Sequence, residues 1–222
     1  MTVQRPLTVA FDWNGTLVDD AARACAATGV VLERFGLPPL ELEQFQAGFR
    51  LPLRAWIAGL GVPADVVDEA IGEWNREMGD RPTELAAGAR EMITALRSAG
   101  IRLGVVSAAS LDAVHRDLSR SALGGFAAEL DFIVGDAAPK RAAFDTLTGS
   151  RPRDFVYVGD TEYDMQEARA AGVRAVGYAG GYRPAAALAA AGADRVIDRL
   201  SELPALLEMR SDALVVRSGG SR

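Results

Sequence analysis

Leu7-Thr8-Val9-Ala10-Phe11-Asp12-Trp13-Asn14-Gly15-Thr16-Leu17 is the stretch on which the reading of this chain turns. Residues 7–10 form a short apolar run that reads as a buried strand. Immediately after it come a carboxylate, a glycine and a hydroxyl, where a central strand ends. Open α/β sheets bind their ligands off the carboxyl ends of the strands. Asp12 suits a nucleophile or a metal ligand there, Gly15 lets backbone approach closely, and Thr16 offers a hydroxyl to an anion. Asn14-Gly15 is by itself also an ordinary turn signal, so the stretch needs partners from elsewhere in the chain.

Outward from it, residues 18–84 lack strand-like alternation and read as helical. Candidate helices run over 20–35, 40–49, 52–60 and 63–78, with breakers at Gly36-Leu37-Pro38-Pro39, Arg50-Leu51-Pro52 and Gly61-Val62-Pro63. Four short helices with brief connections predict an antiparallel bundle, its core filled by Trp56 and Trp74. From about residue 85 helix and strand alternate. Strands are predicted at 101–106, 131–134, 155–158, 175–177 and 195–197, and helices at 86–99, 111–121, 140–148, 165–171, 184–191 and 201–209. Such alternation implies an α/β fold, a Rossmann-like parallel sheet covered on both faces. The predicted division is a core of residues 1–17 and 85–209, an inserted α-helical domain of residues 18–84 placed as a lid over the strand ends, and a disordered tail over 210–222.

The 222 residues carry a formal net charge of −6, which argues against nucleic acid or an anionic membrane as main partner. One cysteine, Cys25, excludes an internal disulfide and a thiolate metal cluster; it reads as a small buried apolar residue in a reducing compartment. With no signal segment and no apolar run of membrane-spanning length, the expected location is cytoplasmic. The single histidine, His115, and the single lysine, Lys140, exclude mechanisms that need a histidine dyad or a second lysine.

What stands beyond each core strand forms a constellation. The first strand gives Asp12, the second Ser107 followed by Ala108, and the fourth Asp160 with Asp164 four residues on, while Lys140 opens the helix after the third. Two carboxylates suit a hard divalent cation such as Mg²⁺. A hydroxyl and a lysine beside them suit the remaining oxygens of a phosphoryl group. Each residue also has a plainer reading: Ser107 as a helix cap, Asp160 and Asp164 as turn residues, Lys140 as a surface lysine.

In this order the residues resemble the four motifs of the haloacid dehalogenase-like hydrolase superfamily: Asp12-Trp13-Asn14-Gly15-Thr16-Leu17, Val106-Ser107, Lys140, and Gly159-Asp160-Thr161-Glu162-Tyr163-Asp164. The insertion resembles that family's helical cap of the first type, and residues 158–182 are similar to its phosphoglycolate phosphatase-like branch. The resemblance implies Asp12 as nucleophile, with Ser107, Ala108, Gly15, Thr16 and Lys140 as phosphate and charge partners. It implies Asp160 and the Asn14 backbone carbonyl as metal ligands, with Asp164 supporting, and Mg²⁺ as cofactor. The implied activity is hydrolysis of a small anionic phosphorylated metabolite.

One residue departs from the pattern. The family's phosphatases carry a second Asp two residues after the nucleophile, as general acid/base; here it is Asn14, whose amide cannot transfer that proton. Hydrolysis of ordinary esters is therefore expected to be slow, and an exchange back to Asp is expected to fit without repacking. Phosphonoacetaldehyde hydrolases resemble the chain at Asp12-Trp13 but use a cap lysine, which residues 18–84 lack. A metal-free dehalogenase and a non-catalytic phosphate-binding protein stay open as alternatives. Within the insertion, Arg50 and Arg54 either point down at the substrate or lie on a solvated helix face. Asp20 either replaces the missing base or caps the first inserted helix.

Overall fold

The computed structural model describes residues 7–207. The chain opens with strand β1 (Thr8–Phe11), turns, and enters the two-residue strand β2 (Val18–Asp19). Four helices follow, α1 (Ala21–Arg34), α2 (Leu42–Gly48), α3 (Leu53–Gly59) and α4 (Val67–Asp80), and then a second two-residue strand, β3 (Glu84–Leu85). Helix and strand alternate from there: α5 (Ala89–Ser98), β4 (Arg102–Val106), α6 (Leu111–Leu118), β5 (Phe132–Val134), α7 (Lys140–Thr148), β6 (Phe155–Gly159), α8 (Glu162–Ala170), β7 (Arg174–Tyr178), α9 (Ala185–Ala190) and β8 (Arg195–Ile197).

Six strands make one parallel sheet in the order β5-β4-β1-β6-β7-β8. This is the α/β, Rossmann-like architecture expected from the alternation. β1 lies inside the sheet, with Thr8 opposite Arg102 on β4 and opposite Phe155 on β6. Val9 and Phe11 face one apolar cluster and Ala10 the other, so both faces of β1 are buried. A strand covered on both sides reads as a continuous apolar run, which is why 7–10 shows no alternation.

The helices α1–α4 bury a cluster of their own, which includes Val31, Phe45, Trp56, Ile57, Trp74 and Met78. Trp56 and Trp74 are in it, as predicted. Phe45 is its aromatic centre, with ring centroids 5.3 Å from Phe49, 5.5 Å from Trp56 and 5.6 Å from Tyr182, which arrives from the loop after β7.

Several boundaries differ from the sequence reading. Residues 18–84 are not wholly helical: β2 and β3 pair antiparallel, Val18 with Leu85 and Asp19 with Glu84, so the chain leaves and re-enters the sheet domain side by side. Two-residue strands are too short to display a periodicity. Helix α8 starts at Glu162 rather than 165, because Thr161 and Asp164 form a capping box. Helix α6 ends at Leu118, short of 121. The segment expected as helix 201–209 begins as a 3₁₀ turn, Leu200–Glu202, and is helical over 203–207; its last two residues and the tail expected to be disordered lie outside the described residues. Cys25 is only partly buried, its thiol donating to the Leu40 carbonyl at 3.4 Å. No helix among the described residues is long and apolar enough to cross a membrane.

Phe45 is fully buried, so Phe45→Ala should cost about 3–5 kcal/mol through lost transfer energy and a residual cavity. Urea unfolding read by tryptophan fluorescence checks this, because Trp56 packs on the deleted ring.

Candidate active site

β1 lies between β4 and β6, so the residues that follow these strands converge. Asp12, Ser107 and Asp160 are all buried there, and Lys140 joins them from the first turn of α7. Lys140 is no surface lysine: it is fully buried, and its ammonium has three partners. Nζ lies 2.8 Å from Asp12 Oδ2, 2.5 Å from Asp164 Oδ1 and 2.8 Å from the Tyr157 hydroxyl. All three donors of an ammonium are thus used. Tyr157 passes its own O–H to the Val106 carbonyl at 2.8 Å, which ties the lysine to the end of β4. Burial disfavours the charged ammonium, but the Asp12 and Asp164 carboxylates outweigh it and raise the lysine's pKa. Burial pushes the Asp12 carboxyl up to about 6, against the pull of Lys140.

Asp164, expected beside the metal as a supporting carboxylate, stands within reach of Asp12 and Asp160 and also holds the lysine. Oδ1 holds Lys140, while Oδ2 accepts from the Thr161 amide at 3.0 Å and the Thr161 hydroxyl at 2.6 Å. Asp160 accepts from Thr16 Oγ1 at 2.9 Å and from the Tyr182 amide at 2.8 Å. Thr16 therefore orients a carboxylate instead of meeting a phosphoryl group. One oxygen from each of Asp12, Asp160 and Asp164 lies within 4.8 Å of the others, and a single ammonium pairs with two of the three. Burial first, then Asp164 and Asp12, raise the Asp160 pKa well above the carboxylate range. Two buried hard-oxygen carboxylates in excess of cationic charge are a donor set that fits a divalent cation such as Mg²⁺. Gly15 sits over this cluster with φ +73°, and a Cβ there would collide with the Asp160 carboxylate.

Asn14 and Asp20 form the second feature. Asn14 Nδ2 donates to Asp20 Oδ2 at 2.6 Å. The Gly15 amide and the Tyr182 hydroxyl both donate to Asp20 Oδ1, each at 2.9 Å, and Arg23 reaches Oδ2 at 3.3 Å. Asp20 is buried and its acceptor sites are filled by four donors. It stands at the N-cap of α1, but its side chain makes no capping bond, and no lone pair is left for a base. Gly15 likewise directs its amide at Asp20 and not at a phosphate site. Asn14→Asp is consequently not a neutral exchange, since it would set two carboxylate oxygens against each other.

Arg23 and Asp117, which sequence reasoning missed, carry this network across to α6. Arg23 donates to Asp117 Oδ1 at 2.8 Å and Oδ2 at 3.0 Å, and Trp13 Nε1 adds a bond to Oδ2 at 3.1 Å. The i, i+3 spacing of Asp20 and Arg23 was the available signal; Asp117, nearly a hundred residues on, offered none. From the other side, Arg183 pairs with Glu162 at 2.6 Å and donates to the Gln46 and Ala47 carbonyls of α2 at 2.8 Å each.

These contacts hold α1–α4 over the strand ends and enclose a cavity of about 290 Å³. Asp12, Asn14, Ser107 and Ala108 line its inner end, and Phe49, Leu51, Leu53, Ile71, Trp74 and Met78 line the helical side. Ser107 does not cap the next helix, since Ser110 does. Its Oγ accepts from the Ala109 amide at 3.2 Å, which leaves its O–H as a donor at the cavity end. Arg50 and Arg54 do not line the cavity: Arg50 donates to the Ala47 and Phe49 carbonyls, and Arg54 pairs with Asp68 on the exposed side. The solvated-face reading holds for both. His115 is exposed on α6 and outside the cavity.

A family model described as haloacid dehalogenase-like hydrolase matches residues 9–178. A phosphoglycolate phosphatase of Pseudomonas putida is 28% identical over an alignment spanning 89% of this chain and 78% of that protein. The pyrophosphatase PpaX of Bacillus velezensis is 27% identical, spanning 91% of this chain and 97% of its own. Among solved structures, a haloacid dehalogenase-like family hydrolase from Streptococcus pneumoniae matches with a TM-score of 0.79 over 91% of this chain and 98% of that one; at 19% identity this is a likeness of fold.

Arg23 compensates two buried carboxylates, so Arg23→Met should destabilise by about 3–5 kcal/mol. Asp117→Asn should cost less, because it leaves no orphaned anion. Asp20 already has a raised pKa from burial, which Arg23 opposes. Without the arginine the folded state favours protonated Asp20 still more, so the deficit should be largest at neutral pH and shrink as the pH falls toward 4. Urea titrations of both variants between pH 7 and pH 4 measure it.

Proposed function

The chain belongs to the haloacid dehalogenase-like hydrolases and is a phosphatase of that kind, and from that premise we propose that Asp12 takes the phosphoryl group of a small phosphate ester onto its own carboxylate. The observation that carries the reading is the contact of Asp12 with Lys140, 2.8 Å long and fully buried, at the inner end of a roofed cavity. Lys140 holds Oδ2 and the Trp13 amide holds Oδ1 at 2.7 Å, which aims the carboxylate before substrate arrives.

Asp12 attacks phosphorus, the bond from phosphorus to the ester oxygen breaks, and the alcohol leaves. Water then cleaves the aspartyl phosphate, releasing inorganic phosphate and restoring the carboxylate. Lys140 offsets charge on the phosphoryl oxygens, and the Ser107 hydroxyl with the Ala108 amide are the donors on the β4 side. Asp12, Asp160 and the Asn14 backbone carbonyl would hold Mg²⁺, which supplies neutralising charge at the phosphoryl group. Asp164 serves the lysine. The uncompensated carboxylates favour this reading over metal-free dehalogenation. Helices α1–α4 act as the cap, the β2–β3 pair as its hinge, and the enzyme works in the cytoplasm.

Two measurements test the reading. Asp12→Asn should drop phosphate release to background while the far-UV spectrum is kept, and EDTA should do the same to the wild type, reversed by Mg²⁺. Full activity in EDTA refutes it. For the missing acid, Asn14→Asp alone should form a proton-sharing carboxylate pair with Asp20 and gain little. The double exchange Asn14→Asp/Asp20→Asn reverses the direction of the hydrogen bond. It should raise kcat/KM on an alkyl phosphate by roughly 10².

A further inference from the structure

The proposed phosphoryl transfer leaves open what kind of alcohol departs, and two independent features of the cavity bear on that. The first is what the cavity cannot do. Its lining contains three acidic side chains, Asp12, Asp117 and Asp136. Asp12 is the nucleophile. Asp117 has both oxygens on Arg23 and Trp13, and Asp136, exposed, accepts from the Leu111 amide at 3.0 Å. Tyr182 gives its O–H to Asp20, and Asn14 has no proton to transfer. Lys140 has its ammonium committed to Asp12, Asp164 and Tyr157, and among the described residues no other group beside Asp12 is placed to protonate a departing oxygen, so the leaving group must be stable as an anion or nearly so.

The second feature is what the walls would accept. The helical side is mostly apolar, with Phe49, Leu51, Leu53, Ile71, Trp74 and Met78, and Asn75 is its polar side chain besides Arg23. Arg23 is neutralised by Asp20 and Asp117. Arg116, exposed against Gly79, is the one cation in the lining with no ion pair among the described residues. A carboxylate or second phosphate on the leaving group would be set largely against apolar side chains, at a desolvation cost that, among the described lining residues, only the exposed Asn75 and Arg116 are free to offset. An apolar ring meets no such cost. A dry cavity of about 150 Å³ holds benzene, so about 290 Å³ accommodates a ring together with a phosphoryl group.

Resting on the phosphoryl-transfer reading, we infer that this enzyme's substrates are aryl phosphates, esters of a phenol whose ring lies against Trp74 and Phe49. Phenols leave without an acid, and their rings match the walls. Arg116 marks the mouth, where a polar ring substituent would emerge. Small anionic esters such as phosphoglycolate, whose departing alkoxide needs a proton, fit the first feature poorly and leave the apolar wall unfilled.

The test uses the full-length Mg²⁺-loaded protein and four substrates: phenyl phosphate, benzyl phosphate, phosphoglycolate and acetyl phosphate. Phenyl and benzyl phosphate have similar rings and differ in the acidity of the departing alcohol. Acetyl phosphate is small and leaves without help, so it reads phosphoryl transfer alone. We expect kcat/KM for phenyl phosphate to exceed that for benzyl phosphate and phosphoglycolate by roughly 10² or more. As a separate binding readout, phenylphosphonate should compete at least about tenfold more tightly than methylphosphonate. Benzyl phosphate or phosphoglycolate within threefold of phenyl phosphate, or equal inhibition by the two phosphonates, overturns the inference. In either case turnover of acetyl phosphate leaves the phosphatase reading standing. No phosphate release from any of the four overturns that reading, and the inference with it.

Discussion

The interaction on which the rest depends is the burial of one ammonium, Lys140, among carboxylates. Removing such a charge from water costs several kcal/mol unless every donor is met, and here every donor is. The partners come from separate elements: Asp12 after β1, Tyr157 within β6, Asp164 in the first turn of α8. Each is fixed in turn. Asp164 is held by the Thr161 capping box, and Tyr157 by the last carbonyl of β4. One nitrogen therefore ties together three strands and two helix starts. The orientation of the Asp12 carboxylate is inherited from that arrangement.

The substitution at position 14 belongs to a second arrangement. A carboxamide donates where a carboxylate cannot, and Asp20 opposite it accepts four bonds. Asn14 and Asp20 are thus one unit with a direction, amide to carboxylate, at the point where the chain enters the helical insertion. The same unit reaches Tyr182 on the sheet side and, through Arg23, Asp117 on α6. The amide of Asn14 thus helps to clamp the insertion onto the sheet domain.

The fold was largely legible because its signals are local and repeated. The apolar runs, the glycines after strands and the Pro/Gly breaks each declare an element without reference to the rest. The site was legible where it follows from strand ends, as with Asp12, Ser107 and Asp160, and from the scarcity that singled out Lys140. It was not legible where a side chain's aim decides the role. Arg50 and Arg54 carry the right charge on the right segment, yet their guanidinium groups face carbonyls and solvent. Asp164 and Thr16 have the chemistry of ligands, but neighbouring donors and acceptors occupy them first. Arg23 and Asp117 meet only in three dimensions, and the two-residue hinge strands are too short to carry a pattern.

The sheet order has a consequence for how the molecule is made. β1 is the first strand of the described residues, yet its neighbours are β4 and β6, with Thr8 opposite Arg102, 94 residues later, and Phe155, 147 residues later. At the usual pace of roughly 5–20 residues per second, the strand that leads into Asp12 waits about 5–19 s for its first partner and longer for its second. Helices α1–α4 emerge in that interval with a cluster of their own to bury. Their local contacts form quickly, whereas the sheet must close long loops before any pairing is rewarded. On the ribosome the helical insertion then takes shape before the sheet, tethered by a naked apolar strand, and Asp12 stays apart from Lys140, Asp160 and Asp164 until those later segments have emerged.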